Sequence, residues 1–144
     1  MHPLPSAAFQ PDKTATYKAL FVIDHNAKDP SQINSGFEHV AMAVNVFDSA
    51  GVPPQHLQFV VIVRGAVPAV LDNAQYRKQF HIDNPNLKVI SELEAAGVQI
   101  AVCGQAVAGW NEDYSSIDPR VKVALSGLST IVILQHEGYA LMQL

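Results

Sequence analysis

Apolar positions along the chain gather into short runs separated by polar breaks and by stretches of helical spacing. Lys18-Ala-Leu-Phe-Val-Ile-Asp24 is an apolar run that ends in His25-Asn26 and then Asp29-Pro30, which predicts a buried strand followed by a loop. From Ser31 to Ala50, residues Ile33, Phe37, Val40, Ala41, Val44 and Phe47 recur at spacings of three and four. That spacing predicts an amphipathic helix, capped by Ser31 or Asp29 and stopped by Gly51 ahead of Pro53-Pro54. Leu57-Gln-Phe-Val-Val-Ile-Val63 is a second run, rich in β-branched residues and ended by Arg64-Gly65. Ala69 to Phe80 carries Val70, Leu71, Tyr76 and Phe80 among polar residues, as one or two short helices would. Asn84-Pro85-Asn86 interrupts, and Leu87 to Ala96 resumes helical spacing before Gly97.

Val98-Gln-Ile-Ala-Val-Cys103 reads as a third strand, Gln105 to Trp110 as a short helix and Asn111 to Asp118 as a polar loop. Pro119 suits the first position of a helical turn running through Leu125. Ser129-Thr-Ile-Val-Ile-Leu134 is expected as a fourth strand, and Tyr139-Ala-Leu-Met142 as a short edge strand or a tail on the core. Strands alternating with helices imply a mainly parallel sheet covered on both faces by right-handed crossovers. The expected fold is therefore α/β, a three-layer α/β/α sandwich of flavodoxin-like type. Its strand carboxyl ends share one edge, where such folds place their chemistry. On this reading the edge gathers Asp24-His25-Asn26, Arg64-Gly65, Cys103-Gly104 and Gln135-His136.

Composition narrows the setting. The 144 residues suit one domain, residues 17–144, preceded by a proline-containing, aperiodic segment, residues 1–16, expected to be a flexible arm. Nine basic against thirteen acidic residues give a net charge of -4, which argues against nucleic-acid binding. No apolar stretch approaches the about 20 residues of a membrane span, so neither a membrane nor a nucleic-acid partner is expected. The opening segment lacks the basic start and apolar centre of an export signal. A cytoplasmic location is expected, with a periplasmic one as the alternative if a leader has been removed. Charged residues make up only 15% of the chain and hydrophobic ones 49%, against about 25% charged in typical domains. A buried parallel sheet and an oligomer interface would each cover such surface.

The chain has a single cysteine, Cys103, at the end of the third expected strand. It excludes an intrachain disulfide and offers one thiol where a helix amino end favours the thiolate. Arg64, a protonated His25 or His136 would add positive charge nearby. Lone cysteines are also common as small buried hydrophobes, and both readings stand on the residues alone. Trp110 and Tyr114 are candidates for a pocket wall or for core and interface anchors. No phosphate-binding glycine loop and no Gly-x-Gly-x-x-Gly is present, the histidines lack metal-ligand spacing, and Ser126-Gly-Leu-Ser129 is not a nucleophile elbow. No cofactor and no metal are expected.

Four segments carry a family resemblance: the Leu-Phe-Val-Ile-Asp24 strand, Val63-Arg-Gly-Ala66, Leu93-Glu-Ala-Ala-Gly-Val-Gln-Ile-Ala-Val-Cys-Gly104, and Leu134-Gln-His-Glu-Gly-Tyr-Ala140. With them the chain, from Lys18 to Leu144, resembles the DsrE/DsrF-like family, also called the YchN-like fold, of small α/β proteins associated with sulfur relay. The resemblance implies that Cys103 accepts a sulfane sulfur as a persulfide. It also implies a homo-oligomer (dimer, trimer or hexamer) and exchange with a donor or acceptor protein or a small thiol. The surrounding binding positions are His25, Asn26, Arg64, Gly65, Gly104, Gln105 and His136. Sulfur-relay members carry Arg-Arg-Gly after the cysteine, whereas this chain reads Cys103-Gly-Gln-Ala-Val-Ala-Gly-Trp110. Positive charge must therefore come from Arg64 or a histidine. The alternative is a small-ligand-binding or assembly module of the same fold with an unreactive Cys103.

Overall fold

The computed structural model describes residues 1–144. Five strands, β1 (Tyr17–Ile23), β2 (Leu57–Val63), β3 (Gln99–Cys103), β4 (Lys122–Ala124) and β5 (Ala140–Gln143), form one sheet in the order β4-β3-β2-β1-β5. Every pairing is parallel, with Ile23 opposite Val63, Val63 opposite Val102 and Cys103 opposite Ala124. The helices are α1 (Ser35–Ser49), α2 (Asn73–Phe80), α3 (Leu87–Ala95), α4 (Gly104–Gly109) and α5 (Gly127–His136). The architecture is a three-layer α/β/α sandwich of flavodoxin-like type.

Side-chain alternation along the strands divides the interior in two. Phe21 and Ile23 of β1, Phe59 and Val61 of β2 and Ile100 and Val102 of β3 point to one face, joined by Phe37 and Val40 of α1, Ile90 and Leu93 of α3 and Val107 of α4. Phe21 and Phe59 meet edge to face, with ring centroids 5.1 Å apart. The opposite face is thinner: Leu20, Val22 and Ile62 are fully buried there, with Ile131 and Leu134 of α5 and Tyr139 packed on them. One helix therefore does on that face what four do on the other.

Two expected elements are corrected. Residues 129–134 belong to helix α5, although the five consecutive apolar or β-branched residues from Thr130 to Leu134 suit a buried strand equally well. Ser126 decides the matter locally, because its hydroxyl accepts from the Ser129 N–H at 3.0 Å and caps the helix. Ile131 and Leu134, three residues apart, then face the sheet, and Leu128, Val132 and Ile133 point outward. The turn expected through Leu125 is instead the short strand β4. Pro119 sits in a tight turn, with the Val121 N–H donating to Asp118 O at 2.9 Å and the Asp118 carboxylate held by Arg120.

The tail does add an edge strand, β5. The start of α1 moves to Ser35, because Asn34 supplies its cap while Asp29 closes a local turn on Ser31. Residues 1–16 contain no helix or strand. No helix is long and apolar enough to cross a membrane.

Candidate functional site

The carboxyl edge of the sheet brings together the ends of β1, β2 and β3. The Arg64 N–H donates to Ile23 O at 2.9 Å, extending the β1–β2 ladder by one step. Gly65 follows because the backbones nearly touch: a Cβ there would lie 2.1 Å from Asp24 O. Continuing the alternation that turns Val22, Ile62 and Ala101 toward α5, the side chains of Asp24, Arg64 and Cys103 share that same face. Gly127, at the start of α5, packs on the stem of Arg64, where a Cβ would come within 2.8 Å of Cγ.

Arg64 donates to both carboxylate oxygens of Asp24, at 2.7 and 2.8 Å, and Gln143 of β5 donates to the same group at 2.6 Å. The Asp24 side chain is 15% exposed and that of Arg64 38%. Burial pushes the Asp24 carboxyl up, but the hydrogen bonds and charge of Arg64, with help from Gln143 and His25, hold it below the ordinary carboxylate range. The hydrogen bond to Asp24 raises Arg64 above its ordinary value against desolvation, and the charges of Asp24 and Cys103 add to the rise. Arg64 and Cys103 are thus within electrostatic reach of each other.

Cys103 ends β3 and is the N-cap residue of α4, with only 6% of its surface exposed. Gly104 lies against β4, since a Cβ there would meet Ala124 O at 2.6 Å. Its carbonyl accepts from the Tyr114 hydroxyl at 3.2 Å, and Gln105 donates to Leu125 O at 3.2 Å. Because α4 has only six residues, its dipole is small.

The other expected residues divide. His25 is at the edge, its carbonyl accepting from Asn34 at 2.6 Å, and Asn26 lines a separate cleft beside it. His136 is corrected: it ends α5, which runs back across the sheet, so it lies at the amino edge, remote from Cys103. The neighbouring Glu137 O accepts from Lys18, near the start of β1. Asp24 is expected at this edge but not among the binding positions; its place opposite Arg64 at the ends of two parallel strands is the signal that gives it a role. No group of three or more His, Cys, Asp or Glu side chains is arranged to hold a metal ion.

Compared with models of known families, residues 18–144 match the DsrE/DsrF-like family. No curated protein matches. Among solved structures, the chain is similar to a protein of unknown function, MTH1491 from Methanobacterium thermoautotrophicum. The TM-score is 0.64 at 21% identity, covering 89% of this chain and 99% of that one. At that identity the likeness speaks for the fold.

Proposed function

The chain belongs to the DsrE/DsrF-like family, which is associated with sulfur relay, and from that premise we propose that it carries sulfane sulfur as a persulfide on Cys103. The observation that carries this reading is the cationic Arg64 within electrostatic reach of the only thiol, on one face of adjacent strand ends. In the forward step the Cys103 thiolate attacks the terminal sulfur of a donor persulfide. A new S–S bond forms on Cys103, the donor's S–S bond breaks, and its electron pair leaves with the donor thiolate. The reverse step hands the sulfur to an acceptor thiolate, with no net change of oxidation state. With no second cysteine in the chain, the acceptor is another protein or a small thiol. Arg64 stabilises the anionic sulfur, and Asp24, held by Gln143, positions Arg64.

Self-association belongs to this reading. The outer surface of α5 exposes Leu128, Val132 and Ile133, and Leu125, Leu141 and Met142 are exposed nearby. Exposed apolar side chains gathered on one helix and the neighbouring edge strand favour a second copy of the chain.

The 6% exposure of Cys103 favours a second reading, a ligand-binding or assembly module whose thiol serves packing. Incubation with glutathione persulfide followed by intact-mass measurement separates the two. Sulfur transfer requires a mass gain of one sulfur atom that Cys103→Ser abolishes. If wild-type protein gains none while an accessible control thiol does, the packing reading stands.

A further inference from the structure

A cleft of about 240 Å³ opens beside β1 on the face covered by α1 to α4, opposite the face toward which Cys103 points. Two larger hollows, about 560 Å³ each, lie under the amino-terminal segment and at the amino edge of the sheet, away from the strand carboxyl ends. Two buried asparagines, Asn34 and Asn86, line the floor of the smaller cleft, and a third, Asn84, braces them from behind. The Asn34 amide donates to His25 O, Asn86 Oδ1 accepts the Asn34 N–H at 2.7 Å, and Asn84 Oδ1 accepts from both the N–H and the side chain of Asn86. The Asn84 amide in turn donates to Ala69 O and Leu71 O. Every member is satisfied, so the floor is fixed before any ligand arrives.

The walls are flat and apolar. Trp110, which follows α4, is 45% exposed, and Phe80 stands against Tyr76 with ring centroids 4.5 Å apart. The Tyr76 ring is buried behind this lining, with its hydroxyl used in a 2.6 Å bond to Pro30 O, and Pro30 and Pro68 add to the apolar surface. The mouth carries Lys28, which has no carboxylate within 4.0 Å, beside Asn26 and Gln32, whose side-chain amides have no partner in the chain. Asp29 is also at the mouth, but one of its oxygens accepts both the N–H and the hydroxyl of Ser31, at 2.7 and 2.6 Å. Lys28 is the one cationic side chain in the lining, beside the Asp29 carboxylate.

We infer that this cleft binds a small planar aromatic carboxylate, its ring between Trp110 and Phe80 and its single negative charge on Lys28. Flat walls select a ring, one ammonium selects one anionic group, and the two amides can bond its second oxygen. The site is independent of sulfur chemistry, because it needs neither Cys103 nor Arg64.

The chain has one tryptophan, so in nitrogen-15-labelled protein the indole N–H of Trp110 is a single unambiguous resonance. Titration with naphthalene-2-carboxylate is expected to shift it saturably, with the neutral naphthalene-2-carboxamide binding about tenfold more weakly. Lys28→Gln is expected to weaken the carboxylate about tenfold and leave the carboxamide unchanged. Cys103→Ser is expected to bind as wild type does. The absence of a saturating shift at millimolar ligand, equal affinity for the carboxamide, or full affinity in Lys28→Gln would each overturn the assignment. Loss of binding in Cys103→Ser would move the ligand to the thiol and overturn it too.

Discussion

Asp24 takes three side-chain hydrogen bonds through two carboxylate oxygens, two from Arg64 and one from Gln143. Asp24→Asn is expected to cost about 1 kcal/mol at pH 7, kept small because the part-exposed Arg64 is screened by solvent. The sign with pH follows from the lowered carboxyl. A depressed acid stabilises the fold fully above its unfolded value of about 3.9, and the contribution is lost as pH falls through the folded value. Urea unfolding should therefore show a wild-type advantage over Asp24→Asn that is constant from about pH 5 to 7 and shrinks below about pH 4. Gly65→Ala forces a Cβ onto Asp24 O and should cost more than about 2 kcal/mol in the same assay, an outcome that near-neutral unfolding would contradict. Cys103 and Arg64 were legible from residue type and strand order, because parallel strands bring their ends to one edge. Their arrangement was not, since which carboxylate Arg64 chooses depends on register, and register is a long-range property.

Elements that end in a strong local signal were readable, and those defined by apolar content alone were not. β1, β2 and β3 each stop at a polar or glycine break, and α1 stops at Gly51, whose backbone is left-handed at φ +85°. Residues 129–134 lack such punctuation. Strand and helix differ there only through the Ser126 cap and the need for a crossover between parallel β4 and β5. As a strand the segment would end with His136 at the carboxyl edge; as helix α5 it ends with His136 at the amino edge. The asparagine floor was equally hidden, because Asn84-Pro85-Asn86 looks like an ordinary interruption until Asn34 arrives from α1. Asn34→Ala removes the α1 cap and strands the part-buried His25 carbonyl and the buried cap N–H of Gly36. It is expected to cost about 2 kcal/mol by thermal or urea unfolding, and a loss below about half that would mean that water replaces the cap.

Across the whole molecule the two faces of the sheet are unequal, four helices against one, and the single helix carries apolar residues outward. Sedimentation at micromolar concentration is expected to give a species heavier than a monomer, and Val132→Glu, at an exposed position, to reduce it to a folded monomer. A wild-type monomer would remove self-association from the proposed function. The sheet order has a kinetic consequence of its own. β1 to β4 add side by side in chain order, whereas β5 returns to pair residue 140 with residue 19 through only four residues, all exposed. Little apolar burial offsets the closure of so long a loop, so β5 should detach by itself while the remaining strands stay paired. Amide hydrogen exchange of Leu141 and Met142 would then run far faster than that of Val61 and Ile62, at a rate insensitive to mild denaturant. Each such excursion takes Gln143 off Asp24, so the Asp24–Arg64 pair beside the thiol would be released and re-formed on the clock of a fraying edge.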